Sequence, residues 1–208
     1  MNKLTNPLTI VADGDFPKNQ ILLKILNNSK TIVACDGAAN TLINQGIIPD
    51  IIIGDLDSLS DENKTTYSNI IVEIADQSQN DLRKAISYVR DNNINDITII
   101  GATGKREDHT LGNIFSLLDY KNLKIRLLTD TGFFSCIHGS QKLKSFEGQQ
   151  VSLFAQDVTI KVTSKDLKYN FNKTTINTIC SATLNESTSD DFEILISHGS
   201  LLIFQTYK

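Results

Sequence analysis

Residues 80–100 read N-D-L-R-K-A-I-S-Y-V-R-D-N-N-I-N-D-I-T-I-I, and this stretch decides the fold. From Asn80 to Asp91, Leu82, Ala85, Ile86 and Val89 recur at i, i+3, i+4 and i+7, with charged residues on the other face, which predicts an amphipathic helix. Ile97 to Ile100 is a short apolar run that reads as a buried strand. Working outward, similar runs stand at Leu8 to Ala12, Thr31 to Ala34, Asp50 to Ile53, Ile70 to Ile74 and Lys124 to Thr129, with helix-like patterns between them. Strand and helix in alternation predict an α/β domain built on a parallel sheet covered on both faces.

The rhythm changes near Thr131. Val151 to Ala155, Val158 to Val162, Phe192 to Ser197 and Leu201 to Thr206 read as short strands, with no helix-length amphipathic window among them. Ser, Thr, Asn and Lys also rise after Ser140. The expected organisation is therefore an α/β domain over residues 1–131 and a small antiparallel β domain over residues 132–208. Ser187 to Asp191 reads as a loop before a last hairpin, with His198 to Ser200 at its turn.

Composition narrows the function classes. The 208 residues are 40% hydrophobic, enough for one large domain or two small ones. A net charge of −4, with lysines scattered rather than clustered, leaves no basic footprint for nucleic acid. Neither a signal-peptide pattern nor a membrane-length apolar window is present, so a cytoplasmic, soluble protein is expected. Cys35, Cys136 and Cys180 lack C-x-x-C spacing, and each is expected to be a plain buried thiol.

In open parallel sheets ligands bind beyond the carboxyl ends of the strands. Four such ends here are acidic: Cys35 to Asn40 carries Asp36, Gly54 to Ser58 carries Asp55 and Asp57, Asp76 to Asp81 carries two aspartates, and Gly101 to His109 carries Glu107 and Asp108. Carboxylates gathered at one edge repel unless a cation or a set of donors compensates them. Magnesium, which takes oxygen ligands and shares them with substrate phosphates, is the simplest compensation and suits Asp55, Asp57 and Asp81. The plainer alternative for Gly54 to Ser58 is a turn whose aspartates cap the next helix. Gly101 to His109 combines two glycines, Lys105 and Arg106 at a helix start, which fits a phosphate cradle; the alternative is a solvated turn capped by Asp108. It matches neither G-x-x-x-x-G-K-[ST] nor G-x-G-x-x-G. His109 reads as a hydrogen-bonded structural residue, with proton transfer as its alternative.

Taken in order, D-G-A-A-N at Asp36, P-D-I-I-I-G-D-L-D-S at Pro49, D-Q-S-Q-N-D-L at Asp76 and G-A-T-G-K-R-E-D-H-T-L-G-N at Gly101 resemble the thiamine pyrophosphokinase family over nearly the whole chain. The resemblance implies a Rossmann-like nucleotide-binding domain followed by a β-sandwich domain that binds thiamine. It also implies a homodimer with active sites at the interface, and diphosphate transfer from Mg2+-bound ATP to the thiamine hydroxyl. By motif, Asp55, Asp57 and Asp81 would bind metal, and Arg106 and Asp108 would join them in catalysis. Asp36, Asn40, Lys105, Arg106 and His109 would bind the nucleotide; Gln77, Asp81, Ser181 and Asn185 would meet thiamine. Three positions depart from the pattern: Lys105 stands where the family usually has glycine, Asn80 interrupts a D-x-T-D form, and Ser181 to Glu186 blurs a T-S-N element, although L-K-Y is kept at Leu167 to Tyr169. The competing readings are a magnesium-dependent hydrolase, with water as nucleophile, and a non-catalytic nucleotide sensor.

Overall fold

The computed structural model describes residues 3–179 and 181–208, so Cys180 lies outside the described residues. The chain divides into two compact units: one holds the residues up to Ser116 with Asn122–Asp130, the other Leu117–Lys121 with the chain from Thr131 onward. In the first, strands β1 (Leu8–Val11), β2 (Thr31–Cys35), β3 (Ile51–Gly54), β4 (Ile71–Glu73), β5 (Asp96–Ile100) and β6 (Lys124–Leu128) pair in parallel in the order β6-β5-β1-β2-β3-β4. Every residue of β1, β2 and β3 is buried, which explains why these strands are mostly apolar rather than alternating.

Helices α1 (Gln20–Asn27), α2 (Ala38–Asn44), α3 (Asp61–Thr66), α4 (Asp81–Asp91) and α5 (Glu107–Ser116) complete this unit. The chain leaves β4 at the sheet edge and must return to β5 beyond β1, so α4 lies across β3, β2 and β1. Its buried face is Leu82, Ala85, Ile86 and Val89, as the periodicity predicts, but Lys84 is buried with them rather than solvated. Asn80 caps the helix by accepting from Arg83 N at 3.0 Å, the service a threonine gives elsewhere, so the departure at this position keeps the cap. Helix α5 starts at Glu107, two residues before the expected His109, because Glu107 and Asp108 favour the positive end of the helix dipole.

The second unit contains β7 (Gly132–His138), β8 (Gln141–Lys144), β9 (Gln150–Ala155), β10 (Lys161–Lys165), β11 (Thr174–Thr175), β12 (Asn185–Glu186), β13 (Asp191–Ile196) and β14 (Ser200–Thr206). These form antiparallel sheets in the orders β12-β9-β14-β7 and β11-β10-β13-β8. Their inner faces share one core, with Ile137, Val151, Leu153, Leu201 and Ile203 from the first sheet and Val162, Phe192 and Ile194 from the second. Strand β10 begins three residues later than expected. Asp157 Oδ1 accepts from Thr159 N at 2.8 Å and Ile160 N donates to Asp157 O, which holds the intervening residues in a turn. Among the described residues no helix is long and apolar enough to cross a membrane.

Asn185, expected at the thiamine contact, is buried and fully engaged by the backbone. Its Oδ1 accepts from Tyr169 N at 3.1 Å and Glu186 N at 2.9 Å, and its Nδ2 donates to Tyr169 O at 2.8 Å. Asn185→Ala is expected to lower unfolding free energy by about 1–3 kcal/mol in urea titrations, because it leaves these backbone groups without partners; an unchanged midpoint would deny the clamp.

Candidate active site

Asp36 follows β2, Asp55 follows β3 and Asp81 opens α4. Each offers a carboxylate oxygen, and the three lie within 4.8 Å of one another, a group that can hold a metal ion. Gly54 permits this convergence, since a Cβ there would stand 2.8 Å from the Asp36 Cβ and 3.3 Å from Asp81 Oδ1. Asp36 is 3% exposed and sits at φ +38°, a region that non-glycine residues seldom adopt. Its Oδ2 accepts from Ser58 N at 3.1 Å, whereas its Oδ1 is buried with no partner. Burial raises the Asp36 pKa; the Ser58 N–H pulls it back, and the charges of Asp81 and Asp55 push it up again.

Asp55 is better supplied. Its Oδ1 accepts from Asp57 N at 3.3 Å and its Oδ2 from Gln77 Nε2 at 2.9 Å, and the Asp57 N–H leads the causes that hold its carboxyl below the usual range. The ammonium of Lys84 lies 2.9 Å from Asp81 Oδ1 and 3.4 Å from Asp55 Oδ2, on a side chain only 2% exposed. Burial alone would depress the Lys84 pKa, but its bond to Asp81 and the charges of Asp81 and Asp55 leave it raised. The chain therefore supplies part of the compensating charge itself.

A cleft of about 290 Å³ adjoins this group, and Asp13, Asp81, Lys105, Arg106, His109 and Asn113 are among its walls. The loop after β1 is docked backbone to backbone on the loop after β5: Gly14 N donates to Gly101 O at 2.6 Å and Asp15 N to Thr103 O at 2.8 Å. Any Cβ on Gly14 would collide with those carbonyl oxygens, and one on Gly104, at φ +82°, with the Asp15 carboxylate. Lys105 adopts φ +49°, the conformation a glycine takes freely, and its ammonium lies 2.8 Å from Asp13 Oδ1. Arg106 grips Asp108 through two nitrogens at 2.6 and 3.1 Å, and that bond leads the causes that bring the Asp108 pKa down to about 2. Asn80 donates to Asn113 Oδ1 at 3.0 Å and Asn113 donates to Ala102 O at 2.9 Å, tying α4 and α5 to the loop.

The structure thus brings Asp36, Asp55, Asp81 and Gln77 together, with Lys105, Arg106 and His109 on the cleft that Asp81 also lines. Asp57 is exposed and outside the trio. Asn40 is occupied in bracing the loop after β3, bonding Ser58 O at 2.8 Å, Ser60 N at 3.1 Å and Asn63 Nδ2 at 2.8 Å. Ser181, in the β unit, is exposed and donates to Thr178 O. Cys35 is buried beside the site, whereas Cys136 is only partly buried, against expectation. Two participants escape the sequence reading: Asp13, a further acidic strand end, and Lys84, signalled only by standing one helical turn after Asp81.

Fold and site together define an α/β protein whose strand ends can hold a metal ion beside a cationic loop, joined to an antiparallel β unit. The chain belongs to the thiamin pyrophosphokinase family: residues 22–129 match the model of its catalytic domain and residues 132–204 that of its substrate-binding domain. Thiamine pyrophosphokinase from Bacillus subtilis (strain 168) is 30% identical over 207 residues, covering 93% of this chain and 92% of that protein. Thiamine pyrophosphokinase 1 from Oryza sativa subsp. japonica is 40% identical over 92 residues, which span 39% of this chain and 35% of that relative. The solved thiamin pyrophosphokinase from Geobacillus thermodenitrificans shares the fold, with a TM-score of 0.80 at 22% identity over 97% of each chain.

The raised Asp36 pKa carries a sign. The stability contributed by its protonated form is full below the unfolded-state pKa and lost as pH rises through the folded one, so at neutral pH the ionised group destabilises the fold. Asp36→Asn is expected to raise the Tm in metal-free buffer at pH 7 by about 2–4 °C, with the gap narrowing on acidification. A lower Tm at pH 7 would contradict this.

Proposed function

We propose that this chain transfers the diphosphate of ATP to the hydroxyl of thiamine, yielding thiamine diphosphate and AMP, with Mg2+ as its metal. The observation that carries the reading is the buried, unpartnered Oδ1 of Asp36 within an all-oxygen trio, beside a cleft walled by Lys105 and Arg106. Hard divalent ions take such oxygen ligands, so the donor set fits. Asp36, Asp55 and Asp81 would hold the ion, with Asp57 as the outer carboxylate. Bound there, it supplies charge neutralisation for the transferring group.

The remaining work falls to the chain. Lys105 and Arg106, paired with Asp13 and Asp108, exchange these partners for polyphosphate oxygens, and the N-terminus of α5 adds positive potential near His109. Attack at the β-phosphorus requires the α–β bridge to be held opposite the hydroxyl, which is a positioning task. Once Arg106 turns to phosphate, Asp108 loses the main bond that lowers its pKa and is the group placed to accept the hydroxyl proton, whereas Asp81 is already bonded to Lys84. Gln77 and Asp81 face the acceptor, whose thiazolium charge suits an acidic edge. Ser181 is a second acceptor contact, and Asn185 serves it by fixing Tyr169. Exposed Tyr169, Ile179 and Leu184 in the β unit support a homodimer in which these contacts complete an interfacial site. A cytoplasmic location, where ATP is held, belongs to the same reading.

Purified protein incubated with ATP, Mg2+ and thiamine is expected to form AMP and thiamine diphosphate in equal amounts. ADP, or phosphate released without thiamine, would sink the proposal. Asp57→Asn is expected to abolish metal-dependent turnover while leaving the circular dichroism spectrum and Tm unchanged; near-normal turnover would remove Asp57 from the metal set.

A further inference from the structure

A lysine buried among apolar helix residues is the least expected group in this site. Lys84 shares the inner face of α4 with Leu82, Ala85 and Ile86, its side chain is 2% exposed, and its ammonium contacts two of the three carboxylates that can hold an ion. Asp36, which it does not contact, keeps the unpartnered oxygen. Resting on the metal reading above, we propose that Lys84 is a positioning residue that presets the affinity of the acidic trio for divalent metal, acting as a resident counter-charge on Asp55 and Asp81.

The electrostatics run in one direction. When the three carboxylates are ionised, the ammonium cuts the charge they offer a divalent cation from three negative charges to two. An ammonium fixed against two prospective ligands repels an incoming cation and competes for their oxygens, in surroundings where charges are screened less than in water. The protein alone therefore holds metal loosely, and the oxygens of a bound polyphosphate make up the deficit. A purely structural lysine would act in the opposite sense, because its loss would spread the carboxylates and weaken metal binding.

The test measures binding of Mn2+ alone, by calorimetry and by the paramagnetic signal of the free ion, with neither nucleotide nor thiamine present. Lys84→Met is expected to bind Mn2+ at least about tenfold more tightly than the wild-type chain. Its Tm is expected to fall in metal-free buffer and to rise on Mn2+ addition by more than the wild-type Tm does. Equal or weaker Mn2+ affinity in the variant overturns the inference and leaves the kinase reading standing. If neither the wild-type chain nor Lys84→Met binds Mn2+, the metal reading falls and this inference with it. Should Lys84→Met not yield folded protein, Lys84→Gln, which keeps a donor but loses the charge, carries the same expectation and the same overturning result.

Discussion

The contacts of Lys84 with Asp55 and Asp81 hold together a region that like charge would otherwise force apart. Asp36, Asp55 and Asp81 come from three separate places in the chain, and nothing but the geometry of β2, β3 and α4 brings them to one point. Around this constraint the local choices fall into line. Gly54 lacks the atom that would collide with Asp36, Asn80 fixes the start of α4 so that Asp81 faces inward, and Gln77 returns a hydrogen bond to Asp55. Asp36 alone is left with an oxygen that nothing satisfies, and buried polar groups rarely persist that way without a ligand.

Much of this was legible in the sequence because it depends on short-range chemistry. β1, β2 and β3 are buried on both faces, so their residues are mostly apolar, with Thr9 and Thr31 the polar exceptions, and the acids that follow β2 and β3 could be located by counting. β7 and β8 were not legible. G-F-F-S-C-I-H has no period of two and Q-K-L-K is mostly polar; each becomes a strand by pairing far along the chain, Gly132–His138 with Ser200–Thr206 and Gln141–Lys144 with Asp191–Ile194. Lys84 was hidden for a similar reason. Helical periodicity assigns a lysine to the solvated face, and only carboxylates arriving from elsewhere make its burial tolerable. Asn185 illustrates the converse, since a motif names it for a ligand while its amide is already committed to the backbone of Tyr169.

The departures from the family pattern in the α/β unit have physical resolutions. Asn80 does the capping work of a threonine. Lys105 accepts a left-handed backbone that glycine would adopt without strain, and in return it places a cation on the cleft, tethered to Asp13. Backbone strain of this kind persists where the surrounding structure over-determines it, and the loop after β1 supplies that restraint.

The docking of Ala12–Asp15 on Gly101–Gly104 has a thermodynamic consequence. A phosphate-binding loop that waits in many conformations surrenders its freedom when the ligand arrives, and affinity is reduced accordingly. Here glycines at 14, 101 and 104 let two main chains lie close enough to bond directly, so that freedom is given up when the protein folds. The entropy of ordering is thereby charged to conformational stability, and anything that enters the cleft meets a wall already shaped.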